Sequence, residues 1–217
     1  MSIPVSDFLT RVNEIATEGP KYRLGGYGKD GTCDCIGLSI GAIRRAGGVW
    51  KGTHGSNYAA RYEIDGLTRT SLETIYPGMQ VFKAREKGHA RWSLPGRYAG
   101  HKDQRDYYHA GVVTSVNPLC ITHSTGTGLP SSIKEDTALG AWEWGGRLKK
   151  VGYDEAAMPG NAGADTGNAA EAVAPSPVVT AAVIHTQNGR PLNIRAKPTK
   201  TCGLYWKLPC GAPVDVL

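Results

Sequence analysis

Hydrophobic and polar positions near the N-terminus repeat at the spacing of an α-helix. Over residues 6–18, one face collects the apolar side chains of Phe8, Leu9, Val12 and Ile15. Ser6 or Asp7 suits the start of this helix, and Gly19-Pro20 ends it. The pattern therefore predicts an N-terminal amphipathic helix.

A second helix, mostly apolar, is predicted after a glycine-rich segment over residues 21–34. The run "IGLSIGAIRRAGG" keeps apolar residues through successive turns and stops at Gly47-Gly48. Asp34 comes directly before this run, where a carboxylate can accept a hydrogen bond from the first turn.

From residue 78 the pattern changes to short, β-branched runs. "GMQVFKA", "HAGVVTSV" and "LCITHST" are separated by turn residues such as Asn117-Pro118 and Gly126, which is typical of antiparallel strands. The predicted fold class is α+β, with N-terminal helices packed on an antiparallel sheet. Residues 85–108 are basic and aromatic without a clear period, and they predict a long surface loop.

Composition divides the chain into two parts. Residues 154–178 consist largely of Ala, Gly, Pro, Asn and acidic residues, too few of them large and apolar to form a core, and they predict a flexible linker. The linker separates a domain over residues 1–153 from a small β module over residues 179–217, where apolar and polar positions alternate around the turn signal Asn188-Gly189.

The formal net charge of +6 favours an anionic partner, which includes nucleic acid, a membrane surface or an acidic wall polymer. The positive residues are scattered and follow no recognition motif, so no nucleic acid is expected. No apolar run is long enough for a membrane span, so no membrane insertion is expected. The N-terminus also lacks a basic segment followed by an apolar stretch, which predicts synthesis in the cytoplasm without a signal peptide.

Five cysteines in a chain of this size predict free thiols rather than a disulfide framework. Cys35 lies at the start of the second helix, where unpaired backbone N–H groups and the helix dipole favour a reactive thiolate. A thiolate nucleophile needs an imidazole that exchanges protons with it and a further polar group that orients the imidazole. If the second and third strands are neighbours, His109 and His123 fall side by side and supply both groups.

Two other interpretations of these residues stay open at this point. Cys35 can be an inert core thiol, which is a common fate of a lone cysteine. Cys33, Cys35, His109 and His123 also form a two-cysteine, two-histidine set that zinc can bind. The two cysteines are closer together in sequence than is usual in structural zinc sites, so no metal is predicted.

The remaining cysteines, histidines and aromatic residues are predicted to have no catalytic role. Cys33 is expected in a loop, Cys120 in the core, and Cys202 and Cys210 as free thiols. Solvated positions in loops or turns are expected for His54, His89, His101 and His185, of which His54 lies in a segment that can face a cleft. Trp92, Tyr98, Tyr107 and Tyr108 either contact a substrate or anchor the long loop. Trp142 and Trp144 are expected to pack on one face of a strand.

Four sequence blocks together resemble the NlpC-type family of bacterial cell-wall cysteine peptidases, which are relatives of the papain-like peptidases. The blocks are "YRLGG", "DCIGL", "GMQVFK" and "HAGVVTSVNPLCITHS", and they cover roughly residues 5–150. The resemblance implies a papain-like fold, hydrolysis of an amide bond in peptidoglycan, and no cofactor. Bacterial peptidoglycan and anionic wall polymers are the implied partners.

The resemblance also assigns roles to five residues. It implies that Cys35 is the nucleophile, His109 the general base and His123 the residue that orients the base. Asp34 matches an acidic residue that contacts the free amine of a short wall peptide in some members, and Tyr22 matches an aromatic residue that lines the site.

The sequence departs from the family pattern at two of these blocks. Ile36 stands where the family usually has serine, and Met79 stands where it usually has aspartate. These departures, with the long insertion, bear on substrate specificity more than on the chemistry.

The C-terminal segment resembles bacterial SH3-like wall-binding domains through "GRPLNIRAKPT" and "LPCGAPVDVL", although it is shorter and predicts a partial module. With no export signal, the protein resembles a phage or prophage endolysin that reaches the wall after lysis. Alternatives are an amidase of the same fold acting on a non-wall substrate and a catalytically silent wall-binding or phage tail protein.

Overall fold

A computed structural model describes residues 2–126 and 130–153 and four strands further along the chain. The chain divides into two compact units, Met1–Asn161 and Ala162–Leu217. The helices and strands of the first unit are β1 (Ile3–Pro4), α1 (Val5–Glu18), β2 (Lys21–Tyr22), β3 (Thr32–Cys33), α2 (Gly37–Arg45), α3 (Ser56–Tyr58), β4 (Ile64–Arg69), β5 (Gln80–Arg85), β6 (Asp106–Val116), β7 (Leu119–Ser124), β8 (Ile133–Asp136), β9 (Trp144–Leu148) and β10 (Val151–Gly152). A π-helical turn, Ala59–Glu63, follows α3, and a 3-10 turn, Gly96–Tyr98, lies between β5 and β6.

Six strands form one antiparallel sheet in the order β4-β9-β5-β6-β7-β8. Helices α1 and α2 pack on each other and on one face of this sheet. The prediction of an α+β fold, with N-terminal helices packed on an antiparallel sheet, is confirmed. The three strands expected from sequence correspond to β5, β6 and β7, and the turn between β6 and β7 lies at Asn117-Pro118, whose peptide bond is cis.

Helix α1 buries the apolar face that the sequence indicates, through Phe8, Val12 and Ile15. It begins one residue earlier than expected, at Val5, and neither Ser6 nor Asp7 caps it with a side-chain hydrogen bond. It ends at Gly19, whose φ of 64° is left-handed and suits glycine.

Alternation along the central strands gives the sheet two apolar faces. Phe82 and Val112 belong to the larger cluster, which lies between the sheet and the helices. Their neighbours in sequence, Val81 and Val113, point to the opposite face and pack in a smaller cluster with Trp142. The sheet is therefore buried on both sides near its centre, which fixes the register of β5 and β6.

The segment expected to be a surface loop, residues 85–108, is held against the domain. Strand β6 begins inside it at Asp106, and both Tyr98 and Tyr107 are buried. The indole N–H of Trp92 donates to the carbonyl of Gln104 at 2.7 Å. The prediction of a surface loop is wrong at residues 106–108, which belong to β6. Elsewhere the segment is largely exposed or half-buried, and its buried tyrosines anchor it, which is one of the two roles expected of its aromatic residues.

Arg61, in the π-helical turn, connects this segment to the rest of the domain. Its guanidinium donates to the side-chain oxygen of Asn57 at 2.9 Å and to the carbonyls of Asp103 and Arg105 at 2.9 and 2.6 Å. It also lies over the ring of Tyr98, 4.8 Å from the centroid. One planar group thus positions the start of β6, the strand that carries His109.

The second unit contains four described strands in two antiparallel pairs. β11 (Thr180–Val183) pairs with β14 (Pro213–Val216), and β12 (Leu192–Arg195) pairs with β13 (Leu204–Leu208). The SH3-like assignment stays a prediction. The expected linker over residues 154–178 and the residues His185, Cys202 and Cys210 lie outside the described residues. Among the described helices, none has the length and apolar character needed to cross a bilayer.

We expect Arg61→Lys to lower the free energy of unfolding by about 1–3 kcal/mol, because the single nitrogen of an ammonium cannot reach the separate acceptors that the two ends of the guanidinium bind, and part-buried acceptors are left unsatisfied. Urea denaturation followed by circular dichroism measures this. Arg97→Lys is the matched control, since Arg97 also lies near the ring of Tyr98, at 5.5 Å, but is exposed. Equal changes in the two variants would contradict the role given to Arg61.

Candidate active site

The turn that carries Cys35 is fixed by the residue before it. The carbonyl of Asp34 accepts the N–H of Leu38 at 3.2 Å, and its Oδ1 accepts the N–H of Gly37 at 2.7 Å. Asp34 therefore binds the N–H of the first residue of α2, as the sequence predicts, and Cys35 lies in the turn that leads directly into the helix.

Close backbone contact explains the glycines around this turn. A Cβ at position 37 would lie 1.8 Å from the carbonyl oxygen of Gly26, and one at position 41 would lie 2.1 Å from that of Tyr27. The N–H of Asp34 also donates to the carbonyl of Gly26 at 3.0 Å. Helix α2 can begin this close to the glycine-rich segment only because it has no side chain at these positions.

The carboxylate of Asp34 is buried and has three nitrogen partners. Besides Gly37, the N–H of Gly25 donates to Oδ2 at 2.7 Å. Nε2 of His54 lies 2.9 Å from Oδ1 and 2.8 Å from Oδ2. His54 was expected to be solvated, and this is wrong: its side chain is 28% exposed and is held by the carboxylate.

The thiol of Cys35 is buried beside strand β6. Burial raises the pKa of the thiol to about 12, and the charge of Asp34 acts in the same direction. Backbone N–H groups of Ala110, Ile36 and Cys35 itself oppose this shift. Since Ala110 follows His109 in the chain, the thiol lies next to the part of β6 that carries the histidine. Burial therefore opposes the expected thiolate more strongly than the backbone N–H groups favour it.

His109 and His123 are hydrogen-bonded to each other, as their strands predict. Nε2 of His109 lies 2.8 Å from Nδ1 of His123, and the two rings are perpendicular. The two residues are diagonal neighbours on one face of the β6-β7 pair, where long side chains can reach each other.

Three further residues surround this pair, and the sequence analysis did not assign them to the site. Asp136 Oδ2 lies 3.5 Å from Nε2 of His123, accepts the indole N–H of Trp142 at 2.8 Å and accepts Lys83 Nζ at 3.3 Å. The Trp142 ring packs on both imidazoles, with centroid distances of 5.4 and 5.1 Å. Asp136 and Lys83 lie on the strands either side of the β6-β7 pair, so only the sheet order reveals them.

Trp142 and Trp144 do not share a face, which corrects the sequence expectation. Trp142 precedes β9 and belongs to the smaller cluster, whereas Trp144 begins β9 and packs against the larger cluster. Because Trp142 lies before the start of β9, the alternation of side chains along that strand does not apply to it. Its indole can therefore face the histidines.

Both imidazoles are neutral at neutral pH. Burial lowers the pKa of His109 to about 3, helped by the positive charges of His123 and Lys83 and opposed by Asp136 and Asp34. Burial also lowers the pKa of His123. For Asp136, the Trp142 hydrogen bond and the charges of His123 and Lys83 outweigh burial and hold the pKa below its usual value.

The hydrogen bonds of a neutral pair define which nitrogens carry protons. Nε2 of His123 has no hydrogen bond of good geometry, but the negative charge of Asp136 lies 3.5 Å away and favours the proton of His123 on this nitrogen. Nδ1 of His123 is then an acceptor and takes the N–H of His109 Nε2. This leaves Nδ1 of His109 with a free lone pair, the form required of a general base.

Tyr22 lies near enough to the thiol for the two groups to affect each other electrostatically. Its side chain is partly exposed, and burial raises the pKa of the hydroxyl to about 12, with Cys35, Asp34 and Cys33 adding to the shift. The hydroxyl therefore keeps its proton and can donate it in a hydrogen bond. The shared electrostatic effects connect all five predicted site residues: Tyr22, Asp34 and Cys35 on one side, and His109 and His123 on the other.

The other cysteines and the zinc alternative are also placed by the structure. Cys33 is buried rather than in an open loop, and its thiol donates to the carbonyl of Asp34 at 3.3 Å. Cys120 is in the core, as expected. In the described part of the chain, no three His, Cys, Asp or Glu side chains are arranged to hold a metal ion. The geometry therefore gives the zinc alternative no support.

Comparisons with known proteins add no assignment. No protein-family model matches the sequence, and no curated protein matches it. The relationship to the NlpC-type family therefore stays a prediction.

We expect the protein to lose stability between pH 7 and pH 5 because of the buried histidines. His109 has an unfolded pKa of 6.5 and a folded pKa of about 3, so over this range the unfolded state takes up a proton that the folded state does not. The free energy of unfolding has its full value above pH 6.5 and falls as the pH drops below it. At pH 5, His109 accounts for a loss of about 1–2 kcal/mol.

Urea denaturation at the two pH values measures this difference. In His109→Gln, the loss of unfolding free energy between pH 7 and pH 5 should be smaller than in the wild type by the contribution of His109. His89→Gln changes an exposed histidine and should show the same loss as the wild type. A wild-type loss in His109→Gln would contradict the prediction.

Proposed function

We propose that the protein is a cysteine peptidase of the NlpC type, with a papain-like catalytic domain, that hydrolyses an amide bond in the stem peptide of bacterial peptidoglycan. The observation that carries the proposal is the 2.8 Å hydrogen bond between His109 and His123, with the Cys35 thiol against the same stretch of β6. The proposed nucleophile, base and orienting residue come from three separate elements: the turn before α2, β6 and β7.

The first half of the reaction transfers the acyl group to sulfur. Nδ1 of His109 takes the proton of the Cys35 thiol while sulfur attacks the carbonyl carbon of the scissile amide. Because both groups are neutral at rest, the proton transfer accompanies the attack rather than preceding it. His109 then gives the proton to the leaving nitrogen, the carbon–nitrogen bond breaks, and a thioester remains on Cys35.

The second half of the reaction restores the enzyme. His109 removes a proton from water, whose oxygen attacks the thioester carbon. The carbon–sulfur bond breaks, the sulfur regains the proton from His109, and the new carboxylic acid leaves. No metal or cofactor takes part in these steps.

Two donors can stabilise the negative oxygen that forms during each attack. The first is the backbone N–H of Cys35. The hydroxyl of Tyr22 is a suitable second donor, because it is protonated and its pKa responds to the charges of Cys35 and Asp34. Preorganised donors of this kind contribute strongly to acyl transfer.

The assignment of the substrate depends on the resemblance to wall peptidases and on charge. A net charge of +6 suits a surface of anionic wall polymers. The phage or prophage route to the wall and the partial SH3-like module stay predictions within this proposal.

We expect new peptide termini when purified peptidoglycan is incubated with the wild-type protein and none with Cys35→Ala, because the variant lacks the nucleophile. Mass spectrometry of the soluble products identifies the bond. Cys33→Ala is the matched control, since it removes a buried thiol two residues away and should release the wild-type products.

Equal products from wild type and Cys35→Ala would remove the cysteine mechanism. Hydrolysis of a synthetic peptide amide without any wall products would instead indicate an amidase with a non-wall substrate. If neither is hydrolysed, a silent wall-binding or phage tail protein replaces the proposal.

We expect Asp136→Asn to lower kcat by about 100-fold with little change in KM, because Asp136 sets the tautomer of His123 and does not need to touch the substrate. An amide can donate to Nε2 of His123, which reverses the proton positions and blocks the lone pair of His109. Steady-state kinetics on the released-peptide assay measure both constants. Glu143→Gln changes an exposed carboxylate next to Trp142 and should leave both constants unchanged, and an equal effect in the two variants would contradict the role of Asp136.

A further inference from the structure

His54 occupies the part of Asp34 that a substrate would need. The two carboxylate oxygens receive the N–H groups of Gly37 and Gly25 at 2.7 Å each, and both lie within 2.9 Å of Nε2 of His54. A carboxylate offers about four acceptor positions. Gly37 and Gly25 use one each, and the N–H of His54 is shared between the two oxygens and uses the other two. The side chain of Asp34 is only 5% exposed.

The remaining ring nitrogen of His54 is the group available at this place. Because a carboxylate only accepts, Nε2 of His54 carries the proton, and Nδ1 of the neutral ring is an acceptor. In the part of the chain that the structure describes, Nδ1 has no hydrogen-bond partner, and the side chain is 28% exposed. When the ring is neutral, a molecule that reaches its exposed part therefore meets one acceptor instead of a carboxylate.

We propose that His54 shields Asp34 from the substrate, so the site takes stem peptides whose terminal nitrogen is acylated rather than peptides with a free α-amine. This rests on the proposed function. An acylated nitrogen offers one N–H, which matches the single acceptor of His54. A free ammonium brings a charge and three N–H groups, and it needs the carboxylate that His54 covers.

Asp34 lies close enough to the other site residues that covering its carboxylate with His54 can change substrate specificity. Its charge raises the pKa of both the Cys35 thiol and the Tyr22 hydroxyl, and it acts on His109 as well. The shielded carboxylate thus lies among the reacting groups, where the end of a short substrate is within reach. Its remaining roles are to cap α2 and to hold the glycine-rich segment.

The test compares two forms of one probe, the synthetic stem pentapeptide L-Ala-γ-D-Glu-L-Lys-D-Ala-D-Ala with a free α-amine and with an N-acetyl group. We expect the wild-type protein to hydrolyse the acetylated form at least as well, by kcat/KM, as the free form. His54→Ala uncovers the carboxylate, and the ratio should move at least tenfold toward the free amine. His54→Gln is the conservative control, because its amide can still donate to Asp34 and should keep the wild-type ratio.

The outcomes separate this inference from the proposed function. The shielding by His54 is overturned if the wild-type protein requires the free amine. It is also overturned if His54→Ala has the same ratio of kcat/KM for the two probes as the wild type. Neither result contradicts the proposed peptidase activity. Loss of hydrolysis of both probes and of purified peptidoglycan overturns the peptidase itself.

A second measurement does not depend on turnover. Long-range ¹⁵N–¹H correlation spectra of the Cys35→Ala protein report the tautomer of His54. A proton on Nε2 with an unprotonated Nδ1 is expected at a pH where the ring is neutral, and a proton on Nδ1 would overturn the proposal.

Discussion

The carboxylate of Asp34 is the group on which the geometry of the cysteine side of the site depends. It accepts the N–H of Gly37 at the start of α2 and the N–H of Gly25 in the glycine-rich segment. Together with the backbone hydrogen bond from the N–H of Asp34 to the carbonyl of Gly26, the carboxylate joins these two segments of backbone. Cys35 lies on one segment and Tyr22 on the other. The carboxylate therefore helps to set the position of Tyr22 relative to the Cys35 thiol.

The protonation of the two histidines on the other side of the site depends on a balance between the burial of their imidazoles and the charges around them. Two neutral imidazoles can be buried at moderate cost because each satisfies the other through one hydrogen bond. A positive charge there is unfavourable at rest, as the lowered pKa of His109 shows. In the proposed acyl transfer His109 becomes charged, and the nearby carboxylates of Asp136 and Asp34 favour that charge. On this proposal, the site holds its electrostatic stabilisation for the step in which charge develops.

The sequence predicted the parts of the fold that follow from local pattern, and it missed those that depend on sheet order. The spacing of apolar residues defined α1 and α2, and β-branched runs defined β5 to β7. Asp136 and Lys83 could not be assigned from local pattern, because they reach the histidines only through the neighbours that β8 and β5 acquire in the sheet. His54 was misjudged for a related reason, since its short loop has no period and its partner lies twenty residues earlier. Anchoring by Tyr98 and Tyr107 was one of two expected roles, and the sequence could not choose between them because an aperiodic segment does not show which of its side chains are buried.

Met79 shows how a departure from the family pattern fits this chain. Its side chain is buried in the smaller cluster with Trp142, whose ring packs on both histidines. An aspartate at this position would place a charge in an apolar cluster behind the indole, at a high desolvation cost. Methionine instead fills the space and lets Trp142 lie against the imidazoles with its N–H on Asp136. The negative charge that the histidines need is thus supplied from β8, at the edge of the sheet, where a carboxylate is easier to hydrate.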